Sequence, residues 1–299
     1  MLRGLGHDVI LLGDGRECLR QLLDQPPDFV FNFAEGEGVS RSREARVPAV
    51  LEMLGIPYTG SDPLTMAVTL DKDIAKRLVA SARIAVPRAL VIHASDVEWK
   101  IDIPFSRLPF PVIVKPAWEG SSKGIRQKCL VNSPDDLPEV IDWLRGEQRQ
   151  PLLVEEYIEG DEVTVGILGN DQPEVLGIMR VSPVAPVERF IYSLEVKRDF
   201  RRRVRYECPP PLPSSVIDAV REAALTVFRT LGCRDVARVD FRVRDGIPYF
   251  LEVNPLSGLH PQDSDLVIMA NLVGWSYARL VAAILQAGLN RHCGVVACA

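Results

Sequence analysis

Residues 237–254 constrain the fold of this 299-residue chain more than any other stretch. Ala237-Arg238-Val239-Asp240-Phe241-Arg242-Val243 alternates with period two, and so does Pro248-Tyr249-Phe250-Leu251-Glu252-Val253-Asn254. Arg244-Asp245-Gly246 supplies the turn between them, so the pair reads as an antiparallel hairpin. Arg238, Asp240 and Arg242 share one face of the first arm; Phe250, Glu252 and Asn254 share a face of the second. A three-residue connection (Asp245, Gly246, Ile247) sets Asp240 opposite Glu252 and Arg238 opposite Asn254, with cross-strand Cβ atoms about 5 Å apart. Carboxylates that close repel unless a cation lies between them. Two carboxylates and an amide oxygen are hard ligands, suited to Mg2+ and poor for Zn2+. An ordinary hairpin with a solvated polar face has the same pattern, so the hairpin alone leaves both readings open.

The remaining sequence narrows the setting. A net charge of −5 and a pI near 5.5 give no general attraction to nucleic acid or to an anionic membrane. No apolar run approaches the ~20 residues of a membrane span, and the N-terminus has no apolar signal region. Six cysteines (Cys18, Cys129, Cys208, Cys233, Cys293, Cys298) form neither CxxC nor a Cys/His ligand spacing. They read as thiols of a reducing cytoplasm.

Three units follow one another. In residues 1–61, strands at Asp8–Leu12, Asp28–Asn32 and Ile56–Thr59 alternate with helices over 16–24 and 43–54. This is the rhythm of a parallel α/β sheet. The unit opens on what looks like the tail of a helix, so a Rossmann-like domain lacking its first strand is expected. Residues 62–154 read as a helix over 71–81, strands at Ala89–Ile92, 111–116 and 124–130, and a helix over 134–146. Residues 155–299 form the third unit. Its first strand begins slightly earlier, at Leu152, and strands follow at Glu162–Leu168 and Val175–Val181. A basic loop spans 197–205. An amphipathic helix over 215–231 starts with a capping box of Ser215 and Asp218 and stops at Gly232. The hairpin, a loop over 255–265 and a helix near 276–287 complete the chain.

Gly120-Ser121-Ser122-Lys123-Gly124 is a small polar loop between two strands. Its backbone amides can crowd round an anion, although a plain hairpin turn has the same composition and no Walker motif is present. Lys115 ends an apolar strand, which suits either a phosphate contact or a side chain reaching the surface. Lys72 opens a helix, where the dipole disfavours it.

Taken together these stretches resemble a known family. Tyr58-Thr59-Gly60-Ser61, Asp71-Lys72, Phe110–Pro116, Glu119–Gly124, Glu155–Glu162, Arg238-Val239-Asp240 and Leu251–Asn254 stand in the order and approximate spacing of the ATP-grasp enzymes. Within these the chain is similar to the D-alanine–D-alanine ligases. The resemblance implies a three-domain ATP-grasp fold, α/β at the N-terminus and α+β in the nucleotide-binding part. It implies Lys72 and Lys115 on ATP phosphates, and Ser121 and Ser122, next to Glu119, in a loop closing over the γ-phosphate. Glu155, Glu156 and Ile158 would line the adenine site, and Glu162 would bond the ribose. Asp240, Glu252 and Asn254 would hold two Mg2+ ions, with Mn2+ as a substitute. Arg238 would bind the transferred phosphoryl group, Lys197 would face phosphate or substrate, and the Gly258 amide would face the tetrahedral oxyanion.

The implied reaction is ATP-dependent joining of two amino acids through an acyl phosphate, D-alanine to D-alanine, for peptidoglycan precursors. No nucleophilic side chain is required, and none is signalled. A homodimer through the first domain is the family's common state. The chain departs from the family in its amino-acid half. Asn32-Phe33-Ala34-Glu35-Gly36-Glu37-Gly38 with Arg43-Glu44 replaces an HGxxGEDG-like loop. Lys197-Arg198 replaces Lys-Tyr, and Asn254-Pro255-Leu256-Ser257-Gly258-Leu259 replaces Asn-Thr-x-Pro-Gly-Met. Two alternatives follow: a ligase for another amine or hydroxy-acid acceptor, or an ATP-binding protein with impaired ligase activity.

Overall fold

The structure is a computed structural model describing residues 1–93, 108–120 and 122–296, with side chains to His292. Ser121 therefore lies outside the described residues.

The first unit holds helices α1 (Arg16–Asp24) and α2 (Arg46–Leu54). Cys18, Leu22, Val30, Leu51, Ile56 and Tyr58 form its core. Its expected sheet reduces to one parallel bridge, Val30 to Tyr58. Asp8–Leu12 joins no ladder, and Ile10 and Leu11 are 55% and 82% exposed. Parallel strands persist when flanked by partners, and no such partner lies beside this segment among the described residues.

Helices α3 (Pro63–Leu70) and α4 (Lys72–Ser81) follow back to back. The Asp62 carboxylate caps α3 through the Thr65 amide, and that of Asp71 caps α4 through the amides of Asp73 and Ile74. Four strands, β1 (Ala89–Ile92), β2 (Val112–Pro116), β3 (Leu130–Val131) and β4 (Leu152–Glu156), pair antiparallel in the order β1-β4-β2-β3. Helix α5 (Leu137–Gln148) packs on this sheet through Leu137, Ile141 and Leu144. The strand expected across 124–130 is mostly loop, with a short 3-10 turn at Gln127–Cys129 before β3. The strand at Leu152, expected to open the third unit, instead lies inside this sheet between β1 and β2.

The second sheet runs β7-β6-β5-β8-β9, from β5 (Asp161–Gly169), β6 (Glu174–Pro183), β7 (Val204–Glu207), β8 (Asp235–Arg244) and β9 (Ile247–Asn254). The expected basic loop is ordered as α6 (Leu194–Arg198), α7 (Phe200–Arg203) and β7. Helix α8 (Ser214–Thr230) lays Val220, Ala223, Ala224, Val227 and Phe228 on the sheet. Pro213, rather than Ser215, stands at its N-cap, so the expected capping box does not form. Helices α9 (Asp265–Leu272) and α10 (Tyr277–Val296) close the chain, α10 running past its expected end. Among the described residues no single helix is long and apolar enough to cross a membrane.

The hairpin has the expected pairing through different turn geometry. Arg244 pairs with Ile247, so the loop is two residues long, with Asp245 and Gly246 both at positive φ (54° and 79°). Such a turn alone would shift the register by one residue. A bulge between Asp240 and Phe241, taken up at Leu251, restores Asp240 opposite Glu252 and Arg238 opposite Asn254. The bulge also separates Phe250 from the face expected for it. Phe250 turns into the core against Phe241, ring centroids 6.2 Å apart, while Glu252 faces the cleft.

Candidate active site

The two sheets enclose a cleft of roughly 830 Å³, open solvent included. It is floored by β2 and β4 and walled by β5, β8 and β9. Of the residues proposed from sequence, Lys115, Ser122, Glu155, Glu156, Ile158, Glu162, Lys197, Arg238, Asp240 and Glu252 line it. A second cavity of roughly 480 Å³ holds Lys72, Glu119 and Asn254 and shares Glu252 with the first. Gly258 lines neither; a Cβ there would sit 2.9 Å from Ser264 Oγ.

The cation end is built on β2 and β4. Ile113 pairs with Glu155 and Lys115 with Leu153, so Lys115 and Glu155 stand diagonally on one face. Lys115 Nζ lies 2.5 Å from Glu155 Oε1, and Lys76 Nζ lies 3.1 Å from Oε2. Burial pushes the Glu155 carboxyl up, but Lys115 and Lys76 outweigh it and hold the group below the ordinary value. The Glu155 side chain thus bridges two lysines. Lys76 also donates to the Phe250 carbonyl at 3.0 Å, which ties the two sheets together beside the bulge.

The acid end is the hairpin. Asp240 accepts from Thr164 Oγ1 at 2.5 Å, from Arg238 at 2.8 Å and from Asn254 Nδ2 at 3.3 Å. Glu252 lies 3.2 Å from Lys72 Nζ, whose ammonium also donates to the Glu119 carbonyl. Burial raises the Glu252 carboxyl, yet Lys72, Lys115, Arg238 and Lys197 together hold it far below the usual carboxylate range. It is therefore ionised at neutral pH and available to a divalent cation. No group of three or more His, Cys, Asp or Glu side chains able to hold a metal occurs among the described residues. Two carboxylates and one amide oxygen leave most of an Mg2+ shell to phosphate oxygens and water, which is how Mg2+ sits in nucleotide sites. The donor set fits that ion.

Several of the side chains proposed from sequence pair within the protein. Glu162 pairs with Arg242 at 2.9 Å, and Glu156 with Arg244 at 2.7 Å. The Glu156 and Tyr157 amides are spent on the Arg88 and Pro111 carbonyls. Ser122 donates its hydroxyl to the Tyr192 carbonyl at 2.8 Å from a left-handed conformation (φ 57°). Lys197 lies 3.7 Å from Asp265 and 4.8 Å from the Tyr192 ring centroid. Glu119 is held by Arg43 and Gln150, both at 3.1 Å.

Sequence reasoning missed four participants. Asp265, at the start of α9, accepts from Arg238 at 3.1 Å and from the Tyr192 hydroxyl at 3.0 Å. Burial and Asp265 together push the Tyr192 phenol upward, so it stays protonated. Arg43 is buried in the second cavity and donates to the Trp118 carbonyl at 2.6 Å. Of Lys76, Asp265, Tyr192 and Arg43, only Lys76 carried a signal: a lysine one turn after Lys72, on the apolar face of α4.

Two antiparallel sheets closing on a cleft with lysines on one wall and an acidic ribbon on the other define an ATP-grasp ligase. The family model described as D-ala D-ala ligase C-terminus matches residues 78–286. The D-alanine–D-alanine ligase of Aquifex aeolicus is 34% identical over 290 residues, covering 95% of this chain and 90% of that protein. An uncharacterized protein of Sinorhizobium fredii, y4sG, is 35% identical over 304 residues, covering 98% and 86%. The Bacillus anthracis D-alanine–D-alanine ligase complexed with ATP superposes with a TM-score of 0.73 at 26% identity, covering 92% of this chain and 84% of that one. The VanG D-Ala:D-Ser ligase of Enterococcus faecalis superposes with a TM-score of 0.71 at 26% identity, covering 87% and 73%. The chain belongs to the D-alanine–D-alanine ligase family, whose members are ATP-dependent carboxylate–amine ligases.

Proposed function

We propose that this chain joins D-alanine to D-alanine, releasing ADP and phosphate, in the cytoplasm and as a step towards peptidoglycan. The observation that carries the reading is the cross-strand pair of Asp240 and Glu252 on one wall of a cleft whose floor holds Lys115. A carboxylate is a poor electrophile and must first be phosphorylated. That transfer needs positioning and charge neutralisation rather than a nucleophilic side chain. Lys115 and Lys72 neutralise phosphate charge, and Ile158 offers backbone to the base. Asp240, Glu252 and Asn254 hold Mg2+, two ions with Mn2+ as a substitute, which supplies charge neutralisation when bound. Arg238, oriented by Asp240 and Asp265, meets the charge that develops on the transferred group and on the tetrahedral carbon's oxygen. Lys197, with Ser121 and Ser122, covers the site from the lid side. The subunits pair as a homodimer through the first unit.

A second reading changes the acceptor. Lys197-Arg198 stands where the family has Lys-Tyr, and the buried acid Asp265 contacts both Arg238 and Lys197. Phosphate release from Mg-ATP, measured with D-alanine, L-alanine, D-serine and D-lactate, separates the two readings. Release with D-alanine alone supports the first; release only when D-alanine is joined by another acceptor supports the second. No release with any of them contradicts both.

A further inference from the structure

Residues 197–205 carry a charge that the cleft does not account for. Lys197, Arg198, Arg201, Arg202, Arg203 and Arg205 stand against one acid, Asp199, a net charge of +5 in a chain whose total is −5. The rest of the chain therefore carries −10. Of the six cations only Lys197 lines the cleft. The five arginines are exposed, on α6, α7 and β7, the outermost strand of the second sheet. The acids near them are engaged. Asp199 pairs with Arg203 at 3.4 Å, Glu207 with Arg180 at 2.6 Å, Glu195 with Arg126 at 3.5 Å and Glu188 with Arg189 at 2.8 Å. Arg201 lies over the Phe200 ring, 5.6 Å from its centroid. Arg198, Arg202 and Arg205 have no ion pair or side-chain hydrogen bond among the described residues. A solvated charge run interleaves both signs; five arginines on one edge repel one another, and an opposing anionic surface relieves that repulsion.

An apolar loop stands beside them. Ser182 pairs with Arg205 and Pro183 with Val204, and the Val184 amide donates to the Arg203 carbonyl at 2.9 Å. The loop that continues from there, Val184-Ala185-Pro186-Val187, is exposed throughout, Val184 at 50% and Val187 at 53%. Single exposed valines are ordinary, but an uncharged apolar loop joined to an arginine edge combines the two features that hold a protein on anionic lipid: cations meet the headgroup phosphates while the apolar tip enters the acyl boundary. A single-stranded nucleic acid would use the arginines but also needs exposed aromatic faces, and Phe190, Phe200 and Tyr206 of this edge pack on Met179, Val181 and Val204 instead. We propose that this edge docks on an anionic lipid surface, with Arg198, Arg201, Arg202 and Arg205 on headgroup phosphates and Val184 and Val187 in the interface. The negative remainder of the chain opposes any other approach, so the contact is orienting. It brings α6, whose Lys197 lines the cleft, to the lipid surface.

The test is co-sedimentation of the full chain with vesicles of phosphatidylcholine alone and of phosphatidylcholine mixed equally with phosphatidylglycerol, at low and at high salt. The expected result is binding to the mixed vesicles about tenfold or more tighter than to the neutral ones, and weakened by salt. Reversing two charges with Arg201→Glu and Arg202→Glu together reduces that binding about tenfold or more. Val184→Asp with Val187→Asp reduces it as well. The Tm of both variants stays at the wild-type value, because these side chains are exposed. Equal binding to neutral and anionic vesicles overturns the proposal, and so does full binding by the arginine variant. Displacement from the vesicles by excess soluble glycerol phosphate assigns the arginines to a free phosphate and overturns the lipid surface, as does preference for a single-stranded oligonucleotide over the mixed vesicles. The readout involves no turnover, so its outcome is independent of the ligase reading.

Discussion

Lys76 ends against one carboxylate and one carbonyl from different sheets, with almost no exposure to water. Replacing it with Met leaves Glu155 paired to Lys115 alone and the Phe250 carbonyl without its donor. Removing one partner of a buried pair costs about 3–5 kcal/mol, to be read by urea denaturation. Because Lys76 positions Lys115 and the bulge rather than touching substrate, Lys76→Met should raise the KM for ATP more than it lowers kcat, with partial rescue by Lys76→Arg. Glu252 makes a prediction of opposite kind. Its folded carboxyl lies below its ordinary value of 4.5, so it contributes stability above that pH and loses it as the medium is acidified below. Glu252→Gln should flatten the acid limb of the Tm–pH curve and abolish Mg-dependent nucleotide binding. Asp240 and Glu252 were legible in the sequence because strand alternation fixes which side chains share a face. Asp265 and Arg43 were not, because each meets its partners across turns that no local pattern encodes.

Elements whose signal is periodic were readable, including β5, β6, β8, β9 and α8. Those whose order comes from tertiary contact were missed. Helix α3 begins at a proline with an aspartate cap and carries little amphipathic pattern, and α6 and α7 hide inside a run of charges. The hairpin register was right while its turn was wrong. A two-residue turn plus a bulge gives the same pairing as a three-residue loop, and alternation cannot tell them apart. Gly246 sits at φ 79° with space for a Cβ, the nearest atom being Val216 Cγ2 at 3.6 Å. Gly246→Val should therefore cost about 1–2 kcal/mol from backbone conformation alone, measured by denaturant unfolding. At Gly160, by contrast, a Cβ would meet the Val243 carbonyl oxygen at 1.9 Å, so Gly160→Ala should break the contact at the entry to β5.

A buried carboxylate fastens the first unit to the rest, alongside Arg43 on Trp118 and Glu119. Asp235 is fully buried, accepts from the Gly60 amide at 2.7 Å and pairs with Arg291 of α10 at 3.0 Å. Arg291 also donates to the Tyr58 and Gly60 carbonyls, so one guanidinium joins the first unit, β8 and the last helix. Asp235→Ala should cost about 3–5 kcal/mol, measured by denaturant unfolding. The order of most strands and helices along the chain was readable from its rhythm. The membership of β4 in the four-stranded sheet was not, since pairing between distant strands leaves no local trace. The chemistry proposed for the cleft is activation of a carboxylate by phosphorylation beside the hairpin. D-Alanine labelled with 18O in its carboxylate tests it most directly during turnover with unlabelled Mg-ATP. The account predicts that one labelled oxygen per dipeptide formed appears in inorganic phosphate; phosphate released without label would contradict it.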